Sequence, residues 1–136
     1  MEFSHQVDKN YNILLIEDDV DQAYLYKMVF DLEHLPLYVA ANIETAISMI
    51  REKTPNVILL DFIYEESSGE SVLQKLKSEL ADSDIPIVVF TNTVKKVAVE
   101  KFLSLGATHF WSEAGNSPTL LAEKMKEFLA LTKKSP

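Results

Sequence analysis

The 136-residue sequence predicts an α/β fold: a doubly wound, five-stranded parallel sheet with helices on both faces. Three observations lead there. Short apolar runs alternate with segments of helical period five times along the chain. The clearest of them, such as Asn12–Ile16 and Pro86–Phe90, are five residues long, rich in branched side chains and without polar alternation, as strands covered on both faces are. The connections are short, and right-handed crossovers of such units place helices on both sides of one sheet.

Residues 1–10 are polar and irregular and read as a tail. Asn12 to Ile16 is the first strand, stopped by Glu17, Asp18 and Asp19. From Asp21 to about Leu35 the apolar residues Tyr24, Leu25, Met28, Val29, Leu32 and Leu35 recur at helical spacing and predict the buried face of a first helix. Pro36 ends it. Leu37 to Ala41 is the second strand. Ile43 to Lys53 is the second helix, with Asn42 as N-cap and Ile43, Ala46, Ile47 and Ile50 on one face. Asn56 to Asp61 repeats the first design, an apolar run ending on an acid. Gly69 is expected to open a third helix carrying Val72, Leu73, Leu76 and Leu80. Pro86 to Phe90 is the fourth strand, and Val94 to Leu105 the fourth helix, closed by Gly106. Thr108 to Trp111 is the fifth strand, with Phe110 and Trp111 pointing to opposite faces. Pro118, suited to a first helical position, starts a last helix to Thr132 with Leu121, Met125, Phe128 and Leu129 inward.

Composition narrows the function. Hydrophobic residues make up 47% and charged residues 25%, an ordinary globular balance for one domain. With no cysteine there is no disulfide framework and no thiol chemistry. A net charge of −8 repels nucleic-acid phosphates and favours cations and basic surfaces. No apolar run approaches the roughly 20 residues of a membrane span. The first residues lack a charged-then-apolar signal pattern, so the cytoplasm is the expected location.

In open parallel sheets, ligands sit beyond the carboxyl ends of the strands. The residues found there are Glu17 and Asp18 after strand one, Asp61 after strand three, Thr91 and Asn92 after strand four, and Glu113 after strand five. Converging carboxylates are costly to bury unpaired. A hard divalent cation such as Mg²⁺, which takes oxygen ligands, resolves the repulsion. A carboxylate beside such a cation is a competent nucleophile toward a phosphoryl group.

Together these residues resemble the receiver domain of two-component response regulators. The resemblance rests on Glu17-Asp18 after strand one, Leu-Leu-Asp61 after strand three, and Gly69 eight residues on. Thr91 ends strand four, and Gly106-Ala107 precedes strand five. The gaps of 43 residues from Asp18 to Asp61 and 30 from Asp61 to Thr91 suit that family. It covers the chain from about Asn12 to Thr132 and implies a receiver domain over 11–134 with strand order 2-1-3-4-5. It further implies that Asp61 accepts phosphate from a sensor histidine kinase or a histidine phosphotransfer protein. Mg²⁺ (or Mn²⁺) would be held by Glu17, Asp18, Asp61 and the backbone carbonyl of Ile63. Thr91 would contact the phosphoryl group, and Phe110 would be the aromatic that moves with it. The surface formed by the fourth helix, fifth strand and fifth helix would meet a downstream protein or a second copy. Such a domain is a signalling module and not a conventional enzyme.

Three positions depart from the family pattern. Glu113 stands 22 residues after Thr91, where the family carries a lysine, and would repel phosphoryl oxygens by a few kcal/mol at short range. Lys95 or Lys96 could substitute in part. Glu65 replaces a usual proline, and Asn92 a usual small residue. An alternative therefore stays open: a phosphorylation-independent pseudo-receiver acting as an interaction module. A phosphatase-like enzyme would need a second acid two residues after Asp61, where this chain has Ile63. Blander readings also stand: Asp61 as a turn-capping acid, Glu17 and Asp18 as helix-terminal acids, Thr91 as a turn hydroxyl, Phe110 and Trp111 as core.

Overall fold

Each apolar run forms a strand and each helical-period segment a helix. The order is β1 (Ile13–Ile16), α1 (Val20–Leu32), β2 (Leu37–Ala40), α2 (Ile43–Lys53), β3 (Val57–Asp61), α3 (Glu66–Glu79), β4 (Ile87–Phe90), α4 (Lys96–Ser104), β5 (His109–Trp111) and α5 (Pro118–Thr132). The computed structural model describes residues 11–61, 66–81, 83–90, 96–111 and 117–132. The strands pair in parallel in the order β2-β1-β3-β4-β5, as expected.

Strand alternation divides the core into two layers. Ile13, Leu15, Val57, Leu59, Val88 and Phe90 face α1 and α5, where they meet Tyr26, Phe30, Leu121, Met125 and Leu129. Leu14, Ile16, Ile58, Leu60, Ile87 and Val89 face the other way, onto Ala46, Ile50, Leu73, Leu76 and Phe102 of α2, α3 and α4. β1, β3 and β4 are buried at every position. That double coverage explains why their sequences show no polar alternation.

The helices begin and end on local chemistry. Asp19 caps α1, its side chain accepting from Gln22 N at 3.1 Å. Asn42 caps α2 by accepting from Thr45 N at 2.8 Å. Ser117 Oγ accepts from Leu120 N at 3.1 Å, ahead of Pro118 at the first helical position. Gly106 follows α4 with φ +114°, the left-handed turn expected of it. Thr54, the cap at the end of α2, also has a positive φ of 49°. α3 starts three residues before Gly69, which lies inside its first turn. A glycine is a weak helix starter, and the Glu-Ser-Ser ahead of it is the better opening sequence.

The face of α1 differs from the sequence expectation. Tyr24, Leu25, Met28 and Leu32 are exposed, Leu32 by 74%, while Tyr26 and Phe30 are fully buried. Val29 is half-buried, and Leu35 beyond the helix is buried as expected. The helix is apolar nearly all round, and the two large aromatics four residues apart take the core. The outer stripe of Val20 and Tyr24 instead borders a groove of about 540 Å³ beside the edge strand, with Leu37 and Val39 on its other wall.

Candidate functional site

The site follows from register. Leu15 pairs with Leu59 and Ile16 with Leu60, so Glu17 comes level with Asp61, one step past the end of β1. Asp61 pairs with Phe90, and Phe90 with Trp111. Glu17, Asp61, Phe90 and Trp111 thus form one transverse row along the carboxyl edge. Asp61 is two residues beyond Leu59 and shares its face, the one covered by α1 and α5.

Both acids of this row are buried: Asp61 is fully covered and Glu17 is 2% exposed. Glu17 is well anchored. Its backbone N–H donates to Ala40 O at 3.0 Å, and its Oε2 accepts from the Asp19 backbone N–H at 3.0 Å. Among the described residues, three buried side-chain oxygens lack a hydrogen-bond partner: Glu17 Oε1 and both oxygens of Asp61. Two ionised carboxylates cannot donate to one another, so a proton or a cation relieves the repulsion within the pair. Accordingly the Asp61 carboxyl is pushed up to about 10. Burial is the largest cause. The Glu17 carboxyl follows, as an acceptor for the neutral acid and as a like charge, and the charges of Asp18 and Asp19 add to it.

Asp18 is exposed at the mouth of the site, and Asp19 is engaged as the α1 cap. Among the described residues, no three carboxylate or imidazole side chains close round one point. The visible convergence is Glu17 with Asp61. Three orphaned carboxylate oxygens at a strand edge suit a hard cation that carries its own waters and takes one or two protein carboxylates. The residues present fit such an ion.

Phe110 points to the opposite layer from Asp61, half-buried against Phe102 of α4 with ring centroids 6.0 Å apart. Trp111 lies on the Asp61 side, edge-on to Phe128 at 5.9 Å, with Lys124 Nζ 5.5 Å over its ring. The two aromatics diverge as expected. Ile63, Glu65, Thr91, Asn92, Lys95 and Glu113 lie outside the described residues, as does the side chain of Lys96. The helical pattern did not single out Tyr26, a phenol fully buried in the layer of Leu15 and Leu59 with its ring against Phe90. Its spacing of four from Phe30, on the side of α1 opposite the stripe that was counted, was the available signal.

The family model of the response regulator receiver domain matches residues 13–124. The chain belongs to that family. This receiver domain is 28% identical over 102 residues to sporulation initiation phosphotransferase F of Bacillus subtilis, covering 74% of this chain and 81% of that protein. It is 31% identical over 98 residues to the DNA-binding response regulator MtrA of Mycobacterium tuberculosis, covering 72% of this chain and 42% of that one. Against such DNA-binding relatives the chain therefore spans about half their length or less. A two-component response regulator from Clostridium difficile superposes with a TM-score of 0.75 at 22% identity, over 91% of this chain and 99% of that one. The Francisella response regulator 1452 receiver domain gives 0.75 at 20% identity, over 90% and 99%. These two share the fold. No helix among the described residues is long and apolar enough to cross a membrane.

Proposed function

We propose that this receiver domain, spanning residues 11–134, works as a stand-alone cytoplasmic module that takes a phosphoryl group onto Asp61. The observation that carries the reading is the fully buried Asp61, level with Glu17, with both carboxylate oxygens unpartnered. An Asp61 oxygen attacks the phosphorus of a phosphohistidine on a kinase or phosphotransfer protein. The P–N bond breaks as the new O–P bond forms, and the imidazole leaves. The phosphotransferase relative points the same way. Glu17 and Asp61, with Asp18 at the mouth and the Ile63 carbonyl, would hold Mg²⁺ or Mn²⁺. The cation would supply the positive charge that keeps Asp61 ionised and offsets charge on the transferring group. Thr91 receives a phosphoryl oxygen, and Phe110, against Phe102, is the aromatic that responds. The α4–β5–α5 face meets the downstream protein or a second copy. Phosphate is received and passed on, so the domain is a switch and not a conventional enzyme.

Glu113 favours a second reading, a pseudo-receiver recognised without phosphate, because it places a carboxylate where the family carries an ammonium. Incubation with acetyl phosphate and Mg²⁺, scored by intact mass, separates the two. A gain of one phosphate that is absent in Asp61→Ala supports the first. No gain in wild type, with a gain in Glu113→Lys, supports the second and removes the first.

A further inference from the structure

β2 is the last strand on its side of the sheet, and among the described residues no strand pairs with its outer edge. Its inner edge is spent on β1: Ile13 N–H donates to Pro36 O at 3.2 Å and Glu17 N–H to Ala40 O at 3.0 Å. Backbone groups alternate in direction along a strand, so those of Leu37 and Val39 turn outward. The side chains of the same two residues face the α1 layer and form one wall of the groove beside the edge. Val20, Ala23 and Tyr24 of α1 form the other wall, with Val20 78% and Tyr24 65% exposed. An unpaired strand edge therefore runs alongside an exposed apolar helix face, a combination that invites association. The groove is also free of net charge in a chain that carries −8. Its one charged lining residue, Lys27, is paired with Asp31 at 3.0 Å.

We propose that this face joins two copies of the chain, through antiparallel pairing of β2 with its own counterpart about a twofold axis. The occupant has to offer a strand edge and an apolar flank together, and this chain offers both on one side. With Tyr38 at the axis, Leu37 of one copy stands opposite Val39 of the other, and each such pair exchanges both of its N–H···O bonds. Tyr38 meets its own counterpart as an aromatic cross-strand pair on the opposite face of the sheet. The two α1 helices lie side by side over the joined strands, and Val20 and Tyr24 close the groove from both sides. Two acidic molecules repel least where the lining is uncharged. The exposed side chains and the strand edge amount to roughly 400 Å² per copy and roughly 800 Å² for the pair, the size of a weak, reversible association. The surface is separate from α4–β5–α5. The pairing needs neither metal nor phosphate, so it does not rest on the role of Asp61.

The test is sedimentation equilibrium of the full chain in EDTA, from about 1 μM to about 1 mM, the range in which contacts of this size associate. The expected result is a mass that rises with concentration from one chain toward two. Val39→Pro removes one outward N–H from each copy, a change that an edge strand tolerates. It should weaken association about tenfold or more, while circular dichroism shows the fold retained. Tyr24→Lys, at an exposed helix position, sets two ammonium groups toward one another across the axis and should weaken it as much. If Val39→Pro loses its fold, Tyr24→Lys alone decides. Leu103→Lys on α4 and Leu131→Lys on α5, both exposed, should leave association unchanged. A single-chain mass throughout the range overturns the proposal. Slow hydrogen exchange of the Val39 amide in that monomer would assign the edge to another segment of the same chain. Association that Leu103→Lys or Leu131→Lys abolishes, and that Tyr24→Lys leaves intact, also overturns it and puts the contact on α4–β5–α5.

Discussion

Replacing Asp61 by asparagine should stabilise the metal-free protein, and the gain should grow with pH. The side chain is fully buried, and its carboxyl is raised from 3.8 to about 10. Between those values the folded chain keeps a proton that the unfolded chain has released. Stability is therefore fully present near pH 4 and falls as pH rises toward 10. One such proton is worth about 1.4 kcal/mol per pH unit. From pH 5 to pH 8 the wild type loses up to about 4 kcal/mol that Asp61→Asn retains. For a domain of this size that is roughly 15 °C in Tm. The raised Tyr26 hydroxyl titrates above this window and leaves the comparison undisturbed. Thermal melts followed by circular dichroism in EDTA, at pH 5, 6, 7 and 8, measure the difference directly. Parallel Tm-versus-pH curves for the two proteins would refute the argument, since they would mean that Asp61 is already ionised and satisfied in the fold. Wild type gaining on the variant as pH rises would refute it more strongly.

Two backbone positions give further tests. Thr54 holds φ 49° and ψ 69° at the end of α2, a left-handed conformation that a β-branched residue tolerates poorly. Thr54→Gly should raise stability by about 0.5–1 kcal/mol, read from the urea midpoint at constant slope. Gly106 has φ +114°, and a Cβ there would come within 2.5 Å of Lys77 Cδ and 2.6 Å of Cγ. Gly106→Ala should cost about 1–3 kcal/mol. Adding Lys77→Ala should recover only the steric share, leaving the backbone strain; full recovery would show that φ does not matter there.

The sheet was legible because its physics is one-dimensional. Runs such as Ile13–Ile16 and Ile87–Phe90 are apolar at every position, and only a strand covered on both faces has a use for that. The acids that end such runs then fall at one edge, and register alone brings Glu17 level with Asp61. α1 was less readable. It carries two apolar stripes, Val20-Tyr24-Met28-Leu32 outside and Tyr26-Phe30 inside, and periodicity cannot rank them. Size decided: the core opposite Leu15, Leu59 and Phe90 takes two aromatic rings, while the more numerous aliphatic residues stay outside. For the same reason spacing gave no hint of Tyr26, whose burial against Phe90 depends on packing depth. α3 begins at Glu66 and not at Gly69 because the Glu-Ser-Ser ahead of the glycine opens a helix better than glycine does.

The transverse row that begins with Glu17 and Asp61 ends on the chain's single tryptophan. Two strand spacings, about 10 Å, separate the Asp61 and Trp111 backbones. An indole's emission responds to nearby charge, and here one face of the ring already carries the Lys124 ammonium. The fold therefore has a native optical reporter wired in line with its acid pair. If Asp61 takes the phosphoryl group as proposed, ionisation, cation capture or phosphoryl arrival at one end of the row should shift the colour or brightness of the indole at the other, readable without a label.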